Sequence, residues 1–370
     1  MLTVHPSIML GSYLWDEDRL PADEFEIRLQ PLHAAMRDRS LCAMLVYGDA
    51  REHQALAYFS NFIPRMRWAM ALFPEHGAPR LLASMSSRDI PAMRTMTWLQ
   101  DVKSGWEWKW FDEFAQGLEA PGAIGTVDFD LMTAPLYAQV EKTIADRFSL
   151  VGCDDVVAGA RTRQRPREIA IIRSATDVVS VAASEISARW RAGADIERAA
   201  LAGERAARSL AAQDVRTLVS RDGGCTLEPY AGRFEDRPAR LLGYVAVKHL
   251  GYWSESFVSL GAPGDERRRA SEGLDALIDG LVAEASSAQL ARRVAETAGP
   301  QHGAFVNSFG HRIGLSLSEG GDISPQSQEP LVAGRTYALR VGGRNGAVAS
   351  AMVVLKGDGR ETLLRSDPQP

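Results

Sequence analysis

The chain has 370 residues, of which 45% are hydrophobic and 24% charged, and its formal net charge is −5. This length favours two domains, because single domains cluster near roughly 100 to 200 residues. The composition is typical of a soluble globular protein, and no apolar run approaches the ~18 residues of a membrane helix. Basic residues are interspersed with acidic ones, so we expect no nucleic-acid partner and no membrane partner.

The amino terminus and the cysteines favour a cytoplasmic protein. The segment MLTVHPSIMLGSYLWDEDRLP lacks the basic start and apolar core of a secretory signal. Cys42, Cys153 and Cys225 lie far apart without Cys-x-x-Cys spacing, which argues against a disulfide framework or a zinc ribbon. Since no histidine adjoins Cys225 in sequence, we expect three free thiols and no cysteine nucleophile.

Residues 24 to 159 alternate apolar runs of strand length with stretches of helical periodicity, which is an α/β pattern. The predicted helices are 24–40 and 131–148; the predicted strands are 42–48, two strands within 67–84, 124–130 and the start of 149–159. We therefore assign residues 1–157 to a first domain of α/β class.

In residues 158–370 the predicted order of two helices followed by strands occurs twice. A long helix is predicted over 161–193, with Pro166 near its first turn, and a second over 195–213, capped by Asp195. The further predicted elements are a strand at 215–220, a hairpin at 241–260, helices near 266–285 and 287–298, and strand-rich segments at 305–319, 335–343 and 347–364. This repetition indicates an α+β domain with a two-fold internal pseudo-repeat.

Several segments, taken in order, resemble the creatinase, prolidase and methionine aminopeptidase superfamily. They are RQRPREIAIIRSA from residue 163, GYWSE from 251, GHRIGL from 310 and GDGRETLL from 357. The resemblance covers essentially the whole sequence. It implies an α/β N-terminal creatinase-type domain and an α+β C-terminal domain with the pita-bread fold. It also implies a homodimer, in which the N-terminal domain of one subunit caps the active site of the other.

Metallopeptidases of this superfamily hold two divalent ions with two Asp, one His and two Glu ligands, and the match to this chain is incomplete. The ligand His is similar to His311, and the second Asp is replaced by Glu255. The remaining positions carry no carboxylate: Tyr244 or His249 stands for the first Asp, Arg340 for the first Glu, and Ser350 or Ala351 for the last.

These replacements predict a site without a metal ion and without any other cofactor. Two hard divalent ions need several bridging oxygens, which one His and one Glu do not supply. Arg340 would also place a permanent positive charge where a cation binds, at a cost of ~4 kcal/mol for a contact near ~4 Å at moderate dielectric.

The altered site suggests a set of catalytic roles. His311 has an ordinary pKa near neutrality and is the candidate proton shuttle. Arg340 has a planar fork that suits a substrate carboxylate. Glu255 would stabilise a developing cation or position water. Glu319, which follows Ser318 where the superfamily has a His-Glu pair, would activate a water or orient the imidazole.

Six further residues are candidates for substrate binding. His249 and Tyr252 come from the predicted hairpin; Glu228 and Tyr230 come from the loop 222–240, where the superfamily carries another histidine; Arg65 and Arg67 come from the segment NFIPRMRWAM in the first domain. Arg65 and Arg67 would reach the site of the partner subunit.

The sequence leaves two functions open. The first is a metal-independent hydrolase or lyase that acts on a C–N or adjacent bond of a small carboxylate-bearing amino-acid derivative, as creatinase hydrolyses creatine without a metal. The second is a non-catalytic protein whose pocket binds a metabolite or whose surface binds a protein. Because polar residues, and not hydrophobic ones, replace the ligands, we favour the enzyme.

Overall fold

The computed structural model describes residues 13–220, 224, 226–230, 239–299, 301, 303–306 and 308–370. The chain divides into two compact units, Met1–Thr162 and Arg163–Pro370. The boundary predicted after residue 157 falls inside the helix Asp154–Ala160. Cys225 lies outside the described residues. None of the described helices is long and apolar enough to cross a membrane.

The first unit is built on a six-stranded mixed sheet with the strand order β4-β3-β2-β1-β5-β6. Its strands are β1 Leu41–Asp49, β2 Trp68–Pro74, β3 Arg80–Ala83, β4 Asp101–Ser104, β5 Gly122–Val127 and β6 Phe148–Gly152. Its helices are α1 Ala22–Arg39, α2 Gln54–Ser60, α3 Ile90–Met93, α4 Lys109–Gln116, α5 Ala134–Ile144 and α6 Asp154–Ala160.

The α/β pattern predicted for this unit is confirmed, with some local differences. Helix α6 lies where a loop was expected after β6. Its first turn carries Asp154 and Asp155, and acidic residues there interact favourably with the helix dipole. Helices α2 and α4 were not predicted, because seven or eight residues give too few turns for a clear period.

The second unit holds two four-stranded antiparallel sheets. The first sheet has the order β10-β9-β7-β8 and the second β11-β12-β13-β14. The strands are β7 Asp214–Ser220, β8 Glu228–Pro229, β9 Leu241–His249, β10 Tyr252–Leu260, β11 Gly310–Ile313, β12 Arg335–Gly342, β13 Val348–Lys356 and β14 Gly359–Ser366. The helices are α7 Pro166–Arg191, α8 Ile196–Ser209, α9 Gly264–Asp279 and α10 Ser287–Ala298.

Apart from the two-residue strand β8, which lies in the predicted loop 222–240, the helices and strands of this unit follow the order predicted from the sequence. Asp195 caps α8 through a hydrogen bond from the backbone of Arg198, as predicted. Helix α9 ends at Asp279, six residues before the predicted end (285 − 279). The segment 305–319 forms only the short strand β11. The two-fold pseudo-repeat stays a prediction.

Each sheet of the second unit has one face covered by helices. Val245 and Val247 of β9 and Val258 of β10 pack with Val179 and Ile186 of α7 in one core cluster. A second cluster joins α9 and α10 to alternate residues of β12 and β13. The two sheets meet where the backbone N–H of Phe257 in β10 donates to Ser350 Oγ in β13, at 3.2 Å.

A two-residue turn sets the register of the β9–β10 hairpin. Leu250 and Gly251 both have positive φ, 47° and 84°, as a type I′ turn requires, and glycine adopts this conformation without strain. His249 and Tyr252 are therefore a pair, and Glu255 lies opposite Ala246. Since side chains alternate along a strand, this register decides which side chains lie on the face that is turned away from the helices.

Close packing of α7 on α8 generates a stability prediction. A methyl group at Gly203 of α8 would lie 2.9 Å from the carbonyl oxygen of Ala182 and would overlap Ile186. We expect Gly203→Ala to lower the free energy of unfolding by about 1–3 kcal/mol, although alanine is the better helix former. Denaturant titration measures the change.

Gly159→Ala in α6 is the matched control, because a methyl group there meets no atom within 4 Å. We expect it to raise the free energy of unfolding by about 0.4–1 kcal/mol. Equal effects of the two substitutions would contradict the packing argument.

Candidate functional site

Glu255 is the centre of the candidate site. It lies on the face of the first sheet that is turned away from α7 and α8, and only 6% of the residue is exposed. A buried carboxylate costs several kcal/mol unless it is paired and hydrogen-bonded. Its partners therefore define what the site can do.

Three side chains surround the Glu255 carboxylate. Tyr244 of β9 donates its hydroxyl proton to Oε2 at 2.8 Å. His311 Nε2 of β11 lies 3.6 Å from Oε1, and Arg340 Nη1 of β12 lies 3.7 Å from the same oxygen. At these lengths the two cations form ion pairs with Oε1 and no direct hydrogen bond. The structure thus brings together three residues predicted from the sequence, His311, Glu255 and Arg340.

The environment of His311 favours its protonated form. Nδ1 lies 3.1 Å from the carbonyl oxygen of Arg312, which can only accept, so Nδ1 carries a proton. Nε2 faces the Glu255 carboxylate. Burial by itself lowers the pKa of His311, but the charge of Glu255 outweighs it and the pKa is raised. The contacts of His311 therefore favour the imidazolium form, which can donate a proton from Nε2.

The same contacts keep Glu255 ionised. Burial alone would raise its pKa, but His311, Arg340 and the Tyr244 hydroxyl together hold the pKa of this carboxyl below its usual value. Burial, followed by the Glu255 charge, raises the pKa of Tyr244 well above its usual value. The site thus holds one carboxylate, the guanidinium of Arg340, a histidine whose protonated form is favoured, and one phenol that keeps its proton.

Arg340 is fixed by a second contact. Its Nη2 donates to Ser308 Oγ at 2.7 Å, and its side chain is 18% exposed. Arg340, in β12, pairs with Ser350 of β13 and not with Ala351, which packs in the helix-covered core. Of the two residues that could stand for the last metal ligand, Ser350 is the one that shares the face of Arg340.

Gly310 allows β11 to lie close to β12. Its φ is 154°, and a methyl group at this position would collide with the carbonyl oxygen of Ala338. His311 follows directly and pairs with Ala338. A glycine before His311 is therefore a packing requirement that places the imidazole against Glu255.

The residues of the site do not fit a pair of divalent ions. Within the described part of the chain, no group of three or more His, Cys, Asp or Glu side chains is arranged to hold a metal ion. One oxygen of Glu255 accepts from Tyr244 and the other faces two cations. A divalent ion would have to displace these donors and lie beside Arg340.

The structure does not place His249 and Tyr252 with Glu255. They pair with each other at the end of the hairpin and lie on the helix-covered face, in alternation with Ala246 and Glu255. Tyr252 donates to Glu168 of α7 at 3.1 Å. The odd spacing between Tyr252 and Glu255 already puts the two side chains on opposite faces of a strand.

Glu228 and Tyr230 are also directed away from the site. Glu228 pairs with Val219, whose side chain packs in the helix-covered core. Tyr230 packs against the same core cluster. Burial and a hydrogen bond to Glu204 of α8 raise its pKa to about 12.

Glu319 has a structural partner. Arg335 Nη2 donates to its Oε2 at 2.7 Å, and the backbone of Ser316 donates to Oε1 at 3.2 Å. Both side chains of the Glu319–Arg335 pair are only 7% exposed. Glu319 therefore stabilises the turn that follows β11 by accepting hydrogen bonds from Ser316 and Arg335.

Arg65 and Arg67 lie in the first unit, at the exposed turn that leads into β2. The guanidinium of Arg67 lies over the Trp106 ring, with 5.5 Å between Cζ and the ring centroid. A role for either arginine in a partner subunit's site stays a prediction.

Tyr244 and Ser308 are site residues that the sequence did not single out. Tyr244 was one of two possible positions for a lost ligand. Since Leu250 and Gly251 form the turn, counting pairs back from it puts Tyr244 on the same face as Glu255. No comparable signal in the sequence identifies Ser308.

Comparison with known proteins supports the fold. No protein-family model matches the chain, and no curated protein matches it. A prolidase from Pyrococcus horikoshii is similar in structure, with a TM-score of 0.75 and 14% identity over 92% of this chain and 99% of that one. An X-Pro aminopeptidase from Thermotoga maritima has a TM-score of 0.75 and 21% identity over 92% of this chain and 98% of that one.

A third similar structure is the N-terminal domain of the FACT complex subunit SPT16 from Cicer arietinum. Its TM-score is 0.61, with 13% identity over 92% of this chain and 96% of that one. The chain therefore has the pita-bread fold of the prolidases and Xaa-Pro peptidases, and the resemblance predicted from the sequence is confirmed at the level of the fold.

The contacts of Glu255 generate a pKa prediction. We expect Glu255→Gln to lower the pKa of His311, because the charge that favours the imidazolium is removed while the burial remains. NMR titration of the imidazole measures this pKa. Glu185→Gln on α7, whose carboxylate pairs with Arg189, is the matched control and leaves the pKa unchanged. A His311 that titrates as in the wild type after Glu255→Gln would contradict the pairing.

The same pair predicts a pH dependence of stability. The pKa of His311 is raised, so its contribution is complete below the ordinary value of 6.5 and is lost as the pH rises through the folded-state value. The pKa of Glu255 is lowered, so its contribution is complete above 4.5 and is lost as the pH falls. We expect the difference in the free energy of unfolding between the wild type and Glu255→Gln to be greatest between pH 4.5 and pH 6.5. Denaturant titrations at several pH values measure it.

Proposed function

We propose that the protein is a metal-independent hydrolase or lyase that cleaves a C–N or adjacent bond in a small carboxylate-bearing amino-acid derivative. The observation that carries the proposal is the contact of both His311 and Arg340 with a single buried carboxylate, at 3.6 and 3.7 Å from Glu255 Oε1. Two cations face one anion, so the site has an excess of positive charge. An anionic substrate supplies the missing negative charge.

Arg340 binds the substrate carboxylate in this proposal. Its Nη2 is held by Ser308, and its side chain is partly exposed, so the guanidinium is oriented and accessible. A bidentate arginine–carboxylate pair fixes both the position and the orientation of the substrate. In metal-dependent enzymes of this fold the metal ions position the substrate, and here the arginine–carboxylate pair would do so.

His311 donates the proton that the leaving nitrogen needs. Its imidazolium carries a proton on Nε2, next to the Glu255 carboxylate, and an amine leaves far more readily once it is protonated. In a hydrolysis the attacking water adds its oxygen to the carbon, and the proton that it releases returns to the His311–Glu255 pair. Glu255 also stabilises positive charge that develops on the substrate.

Support for a peptidase-type hydrolase comes from the structures that share the fold. The similar structures include a prolidase, an X-Pro aminopeptidase and an Xaa-Pro dipeptidase, all of which are peptidases by name. The superfamily resemblance supports a homodimer in which Arg65 and Arg67 reach the partner subunit's site. It also supports a creatinase-like reaction, since creatinase has this fold and needs no metal.

The alternative is a non-catalytic protein that binds a metabolite or a partner protein. One observation favours it: the N-terminal domain of a FACT complex subunit has the same fold. The buried charges of the site favour catalysis, because a cavity that had lost its chemistry would be expected to fill with apolar side chains. Turnover decides between the two.

The test is a mass-spectrometric turnover screen of chelator-treated protein against guanidino, ureido, amidino, cyclic-amidine and prolyl carboxylates. A manganese-supplemented sample is run alongside. We expect product in the chelated sample at the same rate as with manganese. Product only with manganese would contradict the interpretation that Arg340 excludes a metal ion from the site. No product in either sample would favour the non-catalytic binding protein.

Two substitutions assign the roles within the reaction. His311→Ala is expected to lower kcat by roughly 10²- to 10⁴-fold, the contribution of a general acid, while substrate binding is nearly unchanged. Arg340→Gln is expected to raise KM, because it removes the anchor of the substrate. Steady-state kinetics measure both constants. His76→Ala, at an exposed position of the first unit, is the control and is expected to leave both constants unchanged. Unchanged turnover in His311→Ala would contradict the role of His311 as the general acid.

A further inference from the structure

The Glu255 carboxylate lies closer to a neutral donor than to its two cationic partners. The hydroxyl of Tyr244 is 2.8 Å from Oε2, which is a full hydrogen bond. His311 Nε2 and Arg340 Nη1 are 3.6 and 3.7 Å from Oε1. Hydrogen bonds between nitrogen cations and carboxylates ordinarily have lengths of about 2.7–2.9 Å. Both ion pairs are therefore open, while the bond to the phenol is closed.

The position of the Tyr244 ring does not depend on its hydroxyl. The ring packs against a cluster of buried apolar residues, which are Leu242, Phe257, Phe305 and Val348. Its centroid lies 5.1 Å from that of Phe257, and the Phe257 centroid lies 5.4 Å from that of Phe305. Aromatic pairs at such distances are stabilising beyond the area that they bury. The hydroxyl is therefore carried by a fixed ring, and the Glu255 carboxylate is the group that adjusts.

The residue opposite Glu255 is small, which lets the Glu255 side chain reach Tyr244. Glu255 pairs with Ala246, and Tyr244 lies two residues from Ala246 along β9. Aromatic and long side chains can bridge such a diagonal across an antiparallel pair. Since Ala246 carries only a methyl group, the Glu255 side chain leans along the strand and places Oε2 at the Tyr244 hydroxyl.

The Tyr244 hydroxyl occupies one carboxylate oxygen, so the two cations share the other. The last torsion of a glutamate side chain is soft, and the carboxylate rotates at low cost unless a hydrogen bond fixes it. An unpaired oxygen of a buried carboxylate is costly. Without the hydroxyl, we therefore expect the carboxylate to turn until His311 holds one oxygen and Arg340 the other in direct hydrogen bonds.

Tyr244 stays a neutral donor in this arrangement. Burial, followed by the charge of Glu255, raises the pKa of Tyr244 well above its usual value, although Arg340 and Arg216 of β7 oppose the shift. The titratable and charged groups around the carboxylate thus come from β7, β9, β11 and β12, and the phenol among them keeps its proton. Tyr244 acts on the site by its position and transfers no proton.

We propose that Tyr244 is a positioning residue, which holds the Glu255 carboxylate back from His311 and Arg340 so that both cations stay accessible to the substrate. A cation in a direct bond with Glu255 has to break that bond before it binds a substrate carboxylate or protonates a leaving group. The open ion pairs avoid this cost, because their N–H groups are oriented but not occupied. This inference rests on the proposed function of the same site and adds a residue that acts through Glu255.

The first test is an NMR titration of the His311 imidazole in Tyr244→Phe, which keeps the ring and removes the hydroxyl. We expect the pKa of His311 to rise above its wild-type value, because the carboxylate moves closer and no longer shares its charge with a hydroxyl. Glu255→Gln is expected to shift the same pKa in the opposite direction. An unchanged or lowered pKa of His311 in Tyr244→Phe would overturn the proposal.

Tyr137→Phe is the matched control, because it makes the same chemical change at an exposed position of α5, where the residue is 37% exposed. We expect it to leave the pKa of His311 unchanged. Circular dichroism and denaturant titration of both variants check that the fold is intact. A shift of equal size in the two variants would contradict an effect through Glu255.

Steady-state kinetics distinguish a positioning role from a role in packing alone. In Tyr244→Phe we expect KM to rise and kcat to fall, each by roughly five-fold, the value of about one net hydrogen bond. KM rises because Arg340 is engaged by Glu255, and kcat falls because His311 becomes a weaker acid. A role in packing alone leaves KM and the pKa of His311 at their wild-type values.

The NMR titration needs no turnover, so the two proposals can fail separately. A raised pKa of His311 in Tyr244→Phe, with no turnover of any compound by the wild type, would support the open ion pairs and contradict the hydrolase. Turnover by the wild type, with KM, kcat and the pKa of His311 all unaffected by Tyr244→Phe, would keep the hydrolase and overturn the role of Tyr244.

Discussion

The buried carboxylate of Glu255 is the constraint on which the rest of the site depends. An ionised carboxylate that is only 6% exposed must be compensated by nearby donors and positive charges. The first sheet supplies the Tyr244 hydroxyl, and the second sheet supplies His311 and Arg340. Because compensation comes from both sheets, the charge of Glu255 stabilises their arrangement as well as the ionised state of the site.

Because side chains alternate along β7, β9 and β10, the residues of the core lie on one face of the sheet and those of the candidate site lie on the other. One face of these strands packs on α7 and α8 and carries Val245, Val247 and Val258. The other face carries Glu255 and the residues around it. A shift of one residue in the hairpin register would bury Glu255 against the helices, so the turn at Leu250 and Gly251 is a requirement of the site.

Much of the fold and the centre of the site could be predicted from the sequence. Helical periodicity and ordered motif segments gave the element order and the pita-bread fold, and the motif positions gave His311, Glu255 and Arg340. Roles that depend on which face of a strand a residue occupies were less predictable. His249 and Tyr252 were assigned to the site because they belong to the predicted hairpin that carries Glu255, although strand alternation puts them on the other face. Glu319 could not be placed, because its partner Arg335 is 16 residues away and is joined to it only by the fold.

Arg340 links the absence of metal ligands to the charge of the site. In a site built for divalent ions, carboxylates are in excess and the ions supply the positive charge. The resemblance in sequence implies that carboxylates at the corresponding positions are replaced here and that Arg340 occupies one of these positions. Around Glu255 the balance of charge is the opposite, since one carboxylate faces both His311 and Arg340. A site of this sign repels a free cation and attracts an anion, and this is the physical basis of the proposed anionic substrate.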